Sequence, residues 1–280
     1  MNSHQQQITS TETKLYSSAL SREVTLSIIL PANFTKSESY PLLLINDGQD
    51  LAAMNYVSIL SDLYIENKVS RFVTVGLHAS ENRIQEYGTA GQADYANRGS
   101  LAGATTSFVL DELLPFLNNK YAFQQTNVVY AGFSLGGLMA IDMVWKYPGI
   151  FSAAAVFSGA LWWRQKALDA GYCDSDRIMH ALIRNSDYKP GLKFWFQCGG
   201  KDETDDRDGD GIIDSMQDTL ECIGELERKG YHWHRDIAYL EMPEGEHNVP
   251  TWALAMPSFL TWAFSIEKEK SEKEVLTAIW

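Results

Sequence analysis

A serine at position 134 stands in Gly132-Phe133-Ser134-Leu135-Gly136, directly after the apolar run Asn127-Val128-Val129-Tyr130-Ala131 and before the helical pattern Leu138, Met139, Ile141, Val144, Trp145. Gly-x-Ser-x-Gly between a strand and a helix is a turn that lifts a serine hydroxyl clear of the chain. Its glycines are needed where backbone segments pass too close for a Cβ. The helix that follows offers unpaired N–H groups to a developing negative charge. The chemistry this suits is nucleophilic attack on a carbonyl carbon. That attack needs a base to take the hydroxyl proton and an acid to orient the base.

In this arrangement the chain order is serine, acid, histidine. Downstream of Ser134, the strand-like Leu192 to Cys198 ends in Gly199-Gly200-Lys201-Asp202-Glu203. A carboxylate just past a strand end, after flexible glycines, suits the orienting acid; Asp202 is the first choice and Glu203 the alternative. Of the six histidines, His4, His78 and His180 precede that acid, and His232 and His234 flank a strand start. His247, in Glu244-Gly245-Glu246-His247-Asn248, lies past the last strand and before a tryptophan-rich helix. It is the expected base. An oxyanion hole takes two preorganised backbone N–H groups. The expected donors are Leu135, next to the nucleophile, and Gln49, in the loop Asn46-Asp47-Gly48-Gln49-Asp50.

A second pattern is acidic. Asp206-Arg207-Asp208-Gly209-Asp210-Gly211-Ile212-Ile213-Asp214 carries acids at loop positions 1, 3 and 5 and glycine at 6, the spacing of a Ca²⁺-binding loop. The expected ligands are Asp206, Asp208, Asp210, the Ile212 carbonyl and Asp214. Position 12 is Gln217 instead of a closing glutamate, so Asp218 is expected to substitute. Six carboxylates between Asp205 and Asp218 would repel one another without a cation. Any Ca²⁺ here is expected to be structural, with Mg²⁺ as the alternative occupant in a cell interior, and catalysis is expected to need no cofactor.

The chain has 280 residues, 45% of them apolar, enough for one large core. Acids outnumber bases 36 to 23, for a net charge of −13, which argues against nucleic-acid or anionic-membrane partners. Three cysteines, Cys173, Cys198 and Cys222, show neither disulfide nor metal spacing. The first ten residues lack the basic start and apolar stretch of a signal peptide, and no window approaches a membrane span. Together these favour the cytoplasm. The sequence leaves the oligomeric state open.

The element order supports the serine reading. Strands are expected at Val24–Leu30, Leu42–Ile45, Phe72–Leu77, before Ser134, and at Phe151–Ser158, Leu192–Gln197 and Ile237–Leu240, with a further hairpin partner for the first within Lys14–Ala19. Helices are expected at Leu51–Tyr64, Leu101–Tyr121, after Ser134, at Ser215–Lys229 and at Trp252–Phe264. Alternation of this kind implies a mainly parallel sheet with helices on both faces and a site at the strand C-termini. A single domain is expected, with residues 1–11 flexible and 267–280 a charged terminal segment. The long connections Glu81–Gly99 and Trp162–Pro190 are candidate pocket walls or a small cap. Within them Trp162 and Trp163 are candidates to stack on a phenolic or sugar group, and Arg83 is a candidate pocket residue.

These stretches together resemble the "putative esterase" branch of the α/β-hydrolases, which contains esterase D, enterochelin esterases, feruloyl and acetylxylan esterases and mycolyl transferases. The resemblance rests on Val24–Pro31, Leu43–Gln49, Arg83–Tyr87, Ala131–Gly137, Tyr147-Pro148, Ser158–Trp163 and Gly245–Asn248, in order, over about Val24 to Phe264. It implies the α/β-hydrolase fold, with a twisted sheet of about eight strands, and a Ser-Asp/Glu-His esterase acting on a small-molecule ester, with Ser134 and His247 in the catalytic roles. The alternatives are acyl transfer from the same acyl-enzyme, and a non-catalytic binding protein built on the hydrolase fold.

Overall fold

The computed structural model describes residues 8–121 and 123–266. One sheet of eight strands runs through it: β1 (Thr9–Ser17), β2 (Arg22–Leu30), β3 (Tyr40–Asn46), β4 (Val73–Leu77), β5 (Phe123–Phe133), β6 (Ala153–Phe157), β7 (Lys193–Lys201) and β8 (Ile237–Glu246). The spatial order is β1-β2-β4-β3-β5-β6-β7-β8. β1 and β2 form a hairpin, β2 runs antiparallel to β4, and β4 through β8 are joined by parallel pairings. Of the residues 1–11 expected to be flexible, Thr9, Ser10 and Thr11 instead belong to β1, paired with Leu30, Ile29 and Ile28. Residues 1–7 and the charged segment 267–280 lie outside the described residues.

The helices are α1 (Tyr56–Ile65), α2 (Arg83–Glu86), α3 (Ala102–Ser107), α4 (Leu114–Tyr121), α5 (Leu135–Lys146), α6 (Ile178–Asn185), α7 (Asp214–Lys229) and α8 (Val249–Phe264). The single helix expected over Leu101–Tyr121 is α3 and α4 joined by a π-helical turn at Phe108–Leu113. The connections expected as pocket walls contain α2 and α6.

Period-two alternation distributes each central strand between two cores. Leu42 and Leu44 of β3 face the side covered by α4, α5, α6 and α7, while Leu43 and Ile45 face α1 and α8. All five residues of β6 are buried, as a parallel strand covered on both faces requires. No helix among the described residues is long and apolar enough to cross a membrane.

The C-terminal ends of the parallel strands converge on one edge. Asn46 and Asp47 end β3, Ser134 follows β5, Ser158 follows β6, Asp202 follows β7 and His247 follows β8. An aromatic stack ties these ends together beneath the surface. The Phe133 ring lies 5.0 Å from Phe157 and 5.0 Å from Trp252, and Phe157 lies 4.7 Å from Trp195. Because Trp252 is in the first turn of α8, this stack fixes the segment carrying His247 against the strand carrying Ser134.

Gly48 and Gly76 meet backbone to backbone: a Cβ on Gly48 would come 2.3 Å from the Gly76 carbonyl carbon, and one on Gly76 would come 2.8 Å from the Gly48 Cα. The loop after β3 is thus seated directly on β4. Gly76→Ala should lift this loop, lowering stability by about 1–3 kcal/mol in urea unfolding and reducing catalytic turnover more than the stability loss explains.

Candidate active site

Ser134 has φ 55° and ψ −121°, a strained conformation for a residue with a side chain, and it sits immediately before α5. Three features impose it. The Ser134 N–H is held by the Phe157 carbonyl at 2.9 Å, its own carbonyl accepts the Ala160 N–H at 3.1 Å, and a Cβ on Gly132 would come 2.2 Å from the Gly136 oxygen. β5, β6 and the first turn of α5 therefore over-determine the turn. The hydroxyl is half-buried on the edge where the strand ends converge.

The loop after β3 is bound to this turn by buried polar groups. Asn46 donates to the Gly136 carbonyl at 2.9 Å and accepts the Tyr130 hydroxyl at 2.8 Å. Asp47, in the left-handed region at φ 61°, is buried and takes both arms of the Arg83 guanidinium at 2.7 Å. Arg83 also donates to the Phe133 carbonyl at 3.1 Å, and the Tyr87 hydroxyl accepts the Asp47 N–H at 3.3 Å. Arg83 is thus a clamp between the loop and the strand carrying Ser134, with Nε and Nη2 engaged inside the protein. The Gln49 side-chain oxygen accepts the Ala79 N–H at 3.0 Å, which fixes that residue further. The N–H groups of Leu135 and Gln49 make no hydrogen bond among the described residues.

Asp202 accepts the Gly199 N–H through Oδ2 at 3.0 Å, while its Oδ1 is buried with no hydrogen-bond partner. Burial raises its pKa, opposed by the Gly199 N–H, the Ser158 hydroxyl and the charge of His247. The His247 ring lies edge-on to Trp252 at 5.3 Å. The residue as a whole is exposed, but partial burial of its ring lowers its pKa, the Asp202 charge raises it, and the Arg83 charge lowers it again. Glu203, the alternative acid, points elsewhere: it accepts the Ser215 N–H at the start of α7.

Ser158 is a site residue that the sequence does not single out. At φ 45°, it is a second strained residue, donating its N–H to Gln197 and accepting the Trp252 indole N–H at 3.0 Å. Only the strand pairing reveals it, since β6 ends with Phe157 paired to Gln197 on β7, five residues before Asp202.

Of the two tryptophans expected to line a pocket, Trp163 is fully buried. Its ring fills the space over Gly88 and Gly99, where added Cβ atoms would approach to 2.9 and 2.8 Å. It packs the long loops together and offers no face to a ligand. Trp162 is half-buried, with Arg98 4.8 Å and Arg164 5.9 Å from its ring centroid.

The acidic loop differs from the expected six-ligand site. Carboxylate oxygens of Asp206, Asp208 and Asp210 do lie within 4.8 Å of one another. Asp206 accepts the N–H groups of Gly209 at 2.8 Å and Gly211 at 2.9 Å, and Asp210 accepts that of Ile212 at 2.8 Å. Asp214, however, accepts the Arg207 N–H at 2.9 Å and pairs with its guanidinium at 3.2 Å. Asp218 is fully buried between Arg177 and Arg207. It therefore cannot replace the missing closing ligand. The cations that relieve the carboxylate repulsion at Asp214 and Asp218 are these arginines, one of them from a segment 41 residues away. Removing one partner of a buried pair leaves an uncompensated charge. Arg177→Met should cost about 3 kcal/mol in urea unfolding, and Arg177→Met/Asp218→Leu should recover much of it.

With this geometry in place, comparisons with known proteins converge. A family model described as "Putative esterase" matches residues 17–263. The uncharacterized protein YjcH of Bacillus subtilis (strain 168) is 25% identical over 222 residues, spanning 78% of this chain and 84% of its own. A solved ferulic acid esterase superposes with TM-score 0.71 at 17% identity, over 93% of this chain and 98% of its own. The enterobactin esterase FES from Shigella flexneri superposes with TM-score 0.71 at 19% identity, over 91% of this chain and 58% of its own. An IroE-like serine hydrolase from Shewanella oneidensis gives TM-score 0.68 at 19% identity, over 96% and 85%. The eight-stranded sheet is that of an α/β-hydrolase, and the chain belongs to the "Putative esterase" family.

Proposed function

We propose that the protein is a carboxylic ester hydrolase working through Ser134, His247 and Asp202. The observation that carries the reading is the buried, unpartnered Oδ1 of Asp202 beside a histidine whose ring makes no hydrogen bond among the described residues. A buried carboxylate oxygen without a hydrogen bond is costly, and a rotation of His247 to donate its Nδ1–H would satisfy it. That rotation fixes the tautomer in which Nε2 is the base.

His247 Nε2 takes the Ser134 hydroxyl proton as Oγ attacks the ester carbonyl carbon. The carbonyl oxygen gains the negative charge, and the Leu135 and Gln49 N–H groups hold it. Collapse breaks the bond to the alcohol oxygen, which leaves with the proton from His247. Water then attacks the acyl-Ser134 ester, losing a proton to His247, which passes it to Ser134 Oγ as the bond to the acyl carbon breaks and the carboxylic acid departs. These steps call on no metal.

Ser134→Ala should lower 4-nitrophenyl butyrate hydrolysis by at least about 10³-fold without changing the melting temperature, and Asp202→Asn by about 10³-fold or more. The general base works neutral. Since burial lowers the pKa of His247, the acid limb of kcat/KM should inflect below the ordinary histidine value near 6.5. Asp202 raises that pKa, so Asp202→Asn should move the limb to still lower pH. An unmoved limb, or full activity in Ser134→Ala, would remove these residues from the reaction.

A further inference from the structure

In this acid-rich chain every arginine but one has a carboxylate within salt-bridge distance; the exception, among the described residues, is Arg164. The neighbouring Arg98 shows the contrast, since its Nε donates to Asp94 at 2.6 Å. Arg164 is instead enclosed by rings: its guanidinium carbon lies 5.3 Å from the Tyr95 centroid, 5.9 Å from Trp162 and 5.6 Å from Tyr172. Ring faces stabilise the positive charge but do not satisfy its five N–H donors. Nε is buried with no acceptor, and Nη1 reaches only the Trp162 carbonyl at 3.4 Å. The cation is therefore held in place, partly desolvated and unspent.

Its position gives this a use. The carbonyl of Ser134 bonds the N–H of Ala160, and Trp163 turns back to bond the Ala160 carbonyl at 3.2 Å. Arg164 is thus four residues beyond a direct contact of the nucleophile, within about 14 Å of Ala160 even for extended chain. Its own carbonyl accepts the Tyr95 N–H at 3.0 Å, so the loops after β4 and β6 are joined there. Tyr95 leaves 43% of its surface exposed beside the guanidinium, a ring face next to a charge.

Resting on the esterase reading, we propose that Arg164 is a specificity residue that binds a carboxylate on the ester substrate, with Tyr95 flanking it. The substrate class is an anionic ester, its carboxylate separate from the scissile bond. Trp162 serves by holding the arginine and not by stacking on the substrate.

The test pairs esters that differ only in charge: 4-acetoxybenzoate against methyl 4-acetoxybenzoate for the alcohol side, and monomethyl adipate against dimethyl adipate for the acyl side. Arg164→Gln should lower kcat/KM for the charged member of at least one pair by about tenfold or more, mainly through KM, and change its neutral partner less than about twofold. Arg164→Lys should recover part of the loss, and added salt should shrink the wild-type preference. Equal losses on charged and neutral esters, or no loss on either, would overturn the assignment. Should no ester be hydrolysed in a Ser134-dependent way, the esterase reading fails separately. The anion site is then decided by calorimetric titration of Ser134→Ala with 4-hydroxybenzoate. An affinity about tenfold weaker after adding Arg164→Gln sustains the site, and an unchanged affinity or no measurable binding refutes it.

Discussion

The buried pair of Asp47 and Arg83 is the constraint on which the site depends. A buried carboxylate just past β3 is tolerable only because a bidentate guanidinium meets it. The same guanidinium bonds the carbonyl of Phe133, the residue before the nucleophile. One side chain from the loop after β4 therefore sets the distance between two segments, from β3 and β5, that are adjacent in the sheet but remote in sequence. Asn46 repeats the connection one residue earlier through the Gly136 carbonyl. Strain at Ser134 persists because these bonds, together with those to Phe157 and Ala160, leave the turn no relaxed alternative.

On the opposite side, the site is assembled by aromatic packing. Phe133, Phe157 and Trp252 bring the ends of β5 and β6 against the first turn of α8, and Trp252 also bonds Ser158. Ser158 and Asp202 share this environment, so both of them and the helix that follows His247 are supported by one buried cluster. The ion pair fixes the loop carrying Gln49 and the aromatic cluster fixes the segments carrying Asp202 and His247. Ser134 sits where the two meet.

How much of this the sequence discloses follows from how local each signal is. The turn at Ser134 is legible because five consecutive residues, with a strand before and a helix after, encode it. Chain order singles out His247 and a glycine-flanked strand end singles out Asp202, and each follows a strand that ends on the same edge as β5. Asp218 is misread because loop spacing speaks only of oxygen atoms in sequence, whereas the cation that claims it, Arg177, comes from the start of α6. Trp163 is misread for a similar reason: what it fills is defined by Gly88 and Gly99, far upstream. Arg83 is found by position but not by use, since its partner Asp47 lies in another loop. Ser158 opens one of the stretches that carry the resemblance, but nothing in its spacing gives it a role. Pairings across the fold, invisible to spacing, account for each of these.

The contact of Gly48 with Gly76 reaches into the energetics of the whole molecule. The loop after β3 has no cushion of side chain beneath it, only the backbone of β4, itself paired to β2 and β3 in the sheet. A loop so seated cannot open as a small independent unit; its local free energy of opening approaches that of the sheet. The hydrogen-bonded amides of this loop, those of Asp47 and Asp50, should then exchange their hydrogens only on global unfolding, and heat inactivation should track loss of the fold with no earlier, site-only transition. The site's organisation is in that sense completed when the chain folds, leaving little of it to be done in each turnover.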